Sequence, residues 1–209
     1  GVLDRSLHGA VLIALGLKEQ QDAIANPWRF VFQQPDEPER LLPTGTRITK
    51  VYDEAAGELL ILGEPGSGKT TLLLELTRDL LDRAKRDDKL QMPVIFNLSS
   101  WAIKKQEIAE WLVEELQTKY QVPDELGKIW VYTDQILPLF DGLDEMDSNA
   151  RPACVDAINA YRLKHLVSTV VCSRKVEYLA QTKRIALRNA VVVQPLTRKQ
   201  IDDCLLYTS

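Results

Sequence analysis

Residues 59–70 read Leu-Leu-Ile-Leu-Gly-Glu-Pro-Gly-Ser-Gly-Lys-Thr, an apolar run that ends at Gly63 and passes into a glycine-rich loop. The run has the length and composition of a strand buried on both faces of a parallel sheet. Beyond the loop, Leu73, Leu76, Leu80 and Ala84 recur at helical spacing, so a helix is expected to start near Lys69. A strand, a loop of the form Gly-x-x-x-x-Gly-Lys-Thr and a helix together make a cradle for a triphosphate. Glycines let the backbone wrap closely, with consecutive N–H groups turned toward the anion. The helix adds the positive end of its dipole. On this reading Gly63, Glu64, Pro65, Gly66, Ser67, Gly68, Lys69, Thr70 and Thr71 line the phosphates. Lys69 reaches the β- and γ-phosphates, and the Thr70 hydroxyl ligates Mg²⁺. Such a pattern arises by chance in roughly one chain in a hundred of this size. Its position between an apolar run and an amphipathic one makes it specific.

Outward from the loop, strands and helices alternate. Pro93–Leu98, Ile136–Phe140, Ser168–Cys172 and Ala190–Val193 read as further strands. Residues 102–120 read as a helix with Ile108, Trp111, Leu112 and Leu116 on one side. Ala150, Ala153, Cys154, Ala157, Ile158 and Tyr161 mark another, with Pro152 tolerated in its first turn. Thr197 can cap a last helix from Arg198. This alternation predicts an α/β three-layer sandwich with a central parallel sheet of five strands. Residues 1–45 differ. Leu7, Ala10, Val11, Ala14 and Leu15 fall at helical spacing, Asn26-Pro27 breaks the pattern, and Trp28–Phe32 reads as a short strand. Pro35, Pro38, Pro43 and Gly45 mark a loop. The region is expected to be an extension packed on the core.

Two further stretches carry chemistry. Leu137-Pro-Leu-Phe-Asp141-Gly-Leu-Asp144-Glu145 ends an apolar strand in a cluster of acids. Asp141 is placed to hold Mg²⁺ opposite Thr70. Glu145 or Asp144 is placed to orient or deprotonate an attacking water. The plainer alternative is an acidic turn capping the helix after residue 148. The other stretch is Val170-Val-Cys-Ser173-Arg174. Open α/β sheets bind ligands at strand carboxyl ends, so Arg174 is placed to sense or stabilise a γ-phosphate; the alternative is a surface arginine.

Composition bounds the rest. The chain has 209 residues, 45% of them apolar and 27% charged, with a net charge of −4. These are ordinary values for a globular protein, and the negative balance argues against direct nucleic-acid binding. No apolar run approaches the roughly 18–20 residues of a membrane helix, and the first residues do not resemble a signal peptide. Cys154, Cys172 and Cys204 lack metal-ligand or redox spacing, and Cys154 and Cys172 lie in apolar patterns, which suits core residues in a reducing compartment such as the cytoplasm. His8 and His165 have no partner at metal-ligand spacing.

Together these motifs resemble the NACHT family of signal-transducing P-loop NTPases (STAND class), and bacterial members in particular. The most specific stretch is Phe140-Asp-Gly-Leu-Asp-Glu-Met146, where a small residue follows the Mg²⁺-binding acid and two more acids follow it. Cys154–Asn159, Val171–Arg174 and Gln194–Thr197 add to the likeness. The resemblance implies a sheet in the order 5-1-4-3-2, ATP or ADP as ligand, Mg²⁺ on Asp141 and Thr70, Glu145 as catalytic acid with Asp144 in support, and Arg174 as first sensor. It divides the chain into an N-terminal helical extension or linker (1–45), a nucleotide-binding domain (46–197) and the start of a helical lid (198–209). It further implies slow ATP hydrolysis, a switch between ADP and ATP states, self-association of the full-length ATP form, and flanking effector and sensor domains. Gly1 in place of Met and an end at the start of the lid imply an excised piece, expected to bind ATP weakly. Two other functions fit the same motifs. One is a nucleotide-binding module without turnover. The other is an AAA+-type ATPase acting on DNA or protein, with Arg151, Arg184 or Arg188 as an arginine supplied to a neighbour.

Overall fold

In the computed structural model, residues 28–34, 38–43 and 45–195 are described. The helices expected around Leu7–Leu15 and from Arg198, the cap at Thr197, and Cys204 lie outside them.

Apolar runs form the centre. Five parallel strands, β3 (Glu58–Gly63), β4 (Met92–Asn97), β5 (Ile136–Asp141), β6 (Thr169–Arg174) and β7 (Asn189–Val193), lie in the order β7-β3-β6-β5-β4. That is the expected 5-1-4-3-2 arrangement. The sheet is larger than expected, however, with seven strands instead of five. The short strand foreseen at Trp28–Phe32 is β1 (Phe30–Gln33), which pairs antiparallel with β7, and β2 (Arg40–Leu41) pairs antiparallel with β1. The apolar sequence Phe30-Val-Phe32 buries both phenylalanines, which explains why this extension docks on the sheet edge.

Successive residues of a strand face opposite sides, and β3 shows the consequence. Leu59 and Ile61 pack with Leu72, Leu73 and Leu76 of α2 (Lys69–Arg86) and with Ile48 and Val51 of α1 (Ile48–Glu54). Leu60 and Leu62 pack on the other side, with Leu112 and Leu116 of α4 (Ile108–Tyr120), Val131 of α5 (Asp124–Tyr132) and Cys154 and Ile158 of α6 (Arg151–Lys164). Each fully buried leucine contributes roughly 1.5–3 kcal/mol. All four residues expected on the inner face of α2 are buried, and Arg83, Lys85 and Arg86 in its last turn complement the helix dipole.

Three local expectations need correction. Residues 102–120 do not form one helix. A single turn, α3 (Trp101–Lys104), ends at Lys105 in the left-handed region (φ 52°), and α4 restarts at Ile108. An unforeseen helix, α5, follows, packed so that Gly127 faces Val113 and Leu116 of α4. On α6 the buried stripe is Cys154, Val155, Ile158 and Tyr161; Ala153 is exposed. A final short helix, α7 (Lys175–Ala180), leaves β6. Among the described residues no helix is long and apolar enough to cross a membrane.

Candidate functional site

The loop between β3 and α2 meets the carboxyl ends of β5 and β6. Gly66 (φ 73°) and Gly68 (φ 85°) take left-handed backbone, and Gly68 is the N-cap of α2 without any side-chain cap. The first N–H groups of α2 therefore lack a side-chain acceptor, as an anion site requires. Glu64, Pro65 and Gly66 form the exposed crest, while Ser67 is buried beneath it. A Cβ on Gly63 would lie 2.4 Å from Ser67 Oγ and 3.3 Å from Val193 Cβ, so a side chain there would require Ser67 to turn away. Lys69 Nζ folds back and donates to the carbonyls of Gly63 (3.1 Å) and Glu64 (3.0 Å). Thr71 is exposed on the first turn of the helix.

Thr70 Oγ1 donates to Asp141 Oδ2 at 3.0 Å, bridging the start of α2 and the end of β5. Gly142 N donates to the other oxygen, Asp141 Oδ1, at 2.9 Å. Burial raises the Asp141 pKa. The hydrogen bonds from Thr70 and Gly142 oppose that shift, while the charges of Glu145 and Asp144 add to it. A nearby divalent cation reverses such a shift. The donors are hard oxygens, which suit Mg²⁺. Among the described residues no group of three or more His, Cys, Asp or Glu side chains could hold a metal alone.

Asp144 and Glu145 are adjacent in sequence but differ in setting. The Asp144 side chain is buried, and both its oxygens serve Arg174: Oδ1 accepts from the backbone N–H at 2.9 Å and Oδ2 pairs with Nε at 2.9 Å. Its backbone carbonyl accepts from Arg151 Nη2 at 2.9 Å, and Arg151 Nε also reaches Met146 O at 3.1 Å. Glu145 is exposed, with Asn97 Nδ2 at 3.5 Å from its Oε2. A Cβ on Gly142 (φ 77°) would stand 2.9 Å from that same oxygen, so the glycine leaves room for the carboxylate to fold over it. Asp147, and neither of the two acids before it, serves the start of α6: its side chain accepts from Asn149 N at 2.8 Å and its carbonyl from Ala150 and Arg151. The acidic cluster is thus more than a helix cap.

Arg174 is half-exposed and also touches Glu177 (3.5 Å). Asn97 was missed by sequence reading, although its place at the end of β4, in register with Asp141, puts it in the row of strand ends. Of the three arginines considered for a neighbour's site, Arg151 is bound to the Asp144 turn, and Arg184 donates to the carbonyls of Tyr178, Leu179, Gln181 and Lys183; Arg188 is exposed. Burial pushes the Cys154 thiol up to about 12 and the Cys172 thiol far above its usual range, as expected of inert core cysteines. His165 pairs with Asp134 (2.6 Å) and stacks on Tyr161, away from the loop.

The chain resembles known proteins in family and in fold. The family model of the NACHT domain matches residues 58–206. The fold is similar to that in a structure of the Aeropyrum pernix ORC1 protein in complex with DNA, at 18% identity and a TM-score of 0.56. The match covers 85% of this chain and 53% of that one, so the chain spans about half the length of that relative. A structure of C. elegans PCH-2 matches at 20% identity and a TM-score of 0.42, over 71% of this chain and 37% of that one. No curated protein matches by sequence.

Proposed function

The chain belongs to the NACHT domain family of P-loop NTPases, and on that premise we propose that it is a Mg²⁺-dependent ATPase module that works as a slow switch in a larger signalling protein. The observation that carries this reading is the contact of Thr70 with Asp141, flanked by Lys69 and Glu145. A phosphate-binding loop alone binds; a loop joined to a carboxylate at a strand end, with a second, exposed carboxylate beside it, can also hydrolyse. When bound, Mg²⁺ supplies charge neutralisation between the phosphates.

The protein's own groups then divide the work. Lys69 exchanges the Gly63 and Glu64 carbonyls for phosphate oxygens. Thr70 and Asp141 hold the cation. Glu145, exposed and only loosely engaged by Asn97, takes the proton of the attacking water. Arg174 contacts the terminal phosphate, and Asp144 is a positioning residue that fixes the guanidinium from two sides. ATP as the nucleotide, slow turnover, self-association in the ATP state, the cytoplasmic setting and the division at residues 45 and 197 are carried from the family resemblance.

Hydrolysis tests the reading. We expect Mg²⁺-dependent release of phosphate from ATP that is lost in Lys69→Ala and strongly reduced in Glu145→Gln. Equal rates for wild type and Glu145→Gln would remove the role given to Glu145. Binding with no release in the wild type would leave a nucleotide-holding module.

A further inference from the structure

One aromatic side chain outside the recognised motifs lies against the phosphate loop. The indole of Trp28 approaches Gly68 so closely that a Cβ there would stand 2.1 Å from Cη2, 2.7 Å from Cζ3 and 2.9 Å from Cζ2. These three atoms are contiguous on one rigid ring, so a side chain at Gly68 would require the whole indole to move. The six-membered ring of Trp28 therefore sits in van der Waals contact with the last glycine of the loop. Gly68 is constrained twice, by its left-handed backbone and by this ring.

The topology explains how Trp28 gets there. Parallel strands end at the ligand edge of the sheet. β1 runs antiparallel to β7, so its start lies at that edge: Phe30 is in register with Val193, and Val193 with Gly63. Gln194 N donates to Arg29 O at 2.9 Å and extends the pairing toward Trp28. The N-terminal extension thus delivers an aromatic residue to the mouth of the loop.

The strand order also says which end of a ligand Trp28 meets. β6 and β5 lie on one side of β3, with Asp141, Asp144, Glu145 and Arg174 at their ends; β7 and β1 lie on the other. If the terminal phosphate lies toward Asp141 and Glu145, as the proposed function requires, the nucleoside leaves the loop toward the β7–β1 flank. There the indole offers an apolar face, with no charge for a phosphate but a good surface for a base. We propose that Trp28 is a positioning residue of the nucleotide site, forming an aromatic wall that contacts the nucleoside of the bound triphosphate.

This proposal rests on the nucleotide reading above, and the test separates the two. ATP and inorganic tripolyphosphate, which lacks a nucleoside, are titrated calorimetrically with Mg²⁺ into wild type, Trp28→Ala, Trp28→Phe and Lys69→Ala. The expected result is about 10-fold weaker ATP binding in Trp28→Ala, the order of effect of losing one base–aromatic stack, with binding largely kept in Trp28→Phe and tripolyphosphate affinity unchanged in both. Trp28 is half-buried, whereas Trp101, Trp111 and Trp130 are buried in the core. ATP should therefore change the tryptophan emission of wild type but not of Trp28→Phe, a readout that does not depend on the alanine variant folding. Unchanged ATP affinity in Trp28→Ala, an equal loss for tripolyphosphate, or tighter binding of both ligands would overturn the aromatic wall. ATP binding that Lys69→Ala leaves intact would overturn the nucleotide reading itself.

Discussion

The two halves of the site are held in opposite ways. Around Asp144 every group is tied: the carboxylate to Arg174 twice, the carbonyl to Arg151, and Arg151 again to Met146. Around the loop the polar groups are exposed or loosely engaged, with Lys69 on its own loop carbonyls and Glu145 3.5 Å from Asn97. Both regions carry acids and bases from the same motifs. The difference teaches that the acidic run after β5 contains two functions, a brace and a reactive edge, and that one residue of spacing decides which is which.

Substitutions can break that comparison. The largest effect is expected on the reactive side. Lys69→Ala should weaken nucleotide binding by roughly 30- to 1000-fold, the cost of removing one partner of a close charge pair, with little change in unfolding midpoint. Glu145→Gln should lower the hydrolysis rate by about 10²–10⁴-fold, the range for a general base, while calorimetry finds nucleotide affinity within a few-fold of wild type.

On the braced side the readout is stability. Asp144→Ala should cost roughly 2–3 kcal/mol in urea unfolding, short of the roughly 3–5 kcal/mol for breaking a fully buried pair because Arg174 is half-exposed. A loss within 0.5 kcal/mol would show that the brace is dispensable. The smallest effect is expected at the junction. The Asp141 pKa is raised, so the folded state binds that proton more tightly than the unfolded chain. Its contribution to stability without ligand is therefore present at low pH and declines as pH rises through the carboxylate range toward the folded pKa. Asp141→Asn removes the titration. The variant should unfold at higher urea than wild type at neutral pH and lose that advantage in acid. The same advantage at both pH values would show that burial of the Asp141 charge is not the cause.

Sequence reading reached the strand–loop–helix at 58–86, because composition, glycine positions and helical period agree there. It reached Asp141, because an acid at the end of an apolar run is visible in one dimension. The strand order came from the family resemblance, since periodicity carries no information about neighbours in a parallel sheet. The break at Lys105 was hidden because no glycine or proline announces it; a lysine takes the left-handed turn. The helix at 124–132 was hidden by Pro123 and Gly127, which look like punctuation but serve as an N-cap and a close packing point. The split between Asp144 and Glu145 depends on Arg174, thirty residues away, and the contact of Trp28 with Gly68 depends on an antiparallel strand at the sheet edge. Neither has a local signature.

The bonds from Lys69 to Gly63 and Glu64 make the loop its own competitor. On the proposed function, an incoming anion displaces two carbonyls, that of the buried Gly63 and that of the exposed Glu64, from the ammonium. Inorganic phosphate or chloride is expected to replace them at little net advantage, and a chain of phosphates, which would also engage the helix end and Thr70, at a larger one. On the proposed function, the fold of one lysine onto its own backbone would discriminate by ligand charge before any base or sugar is read.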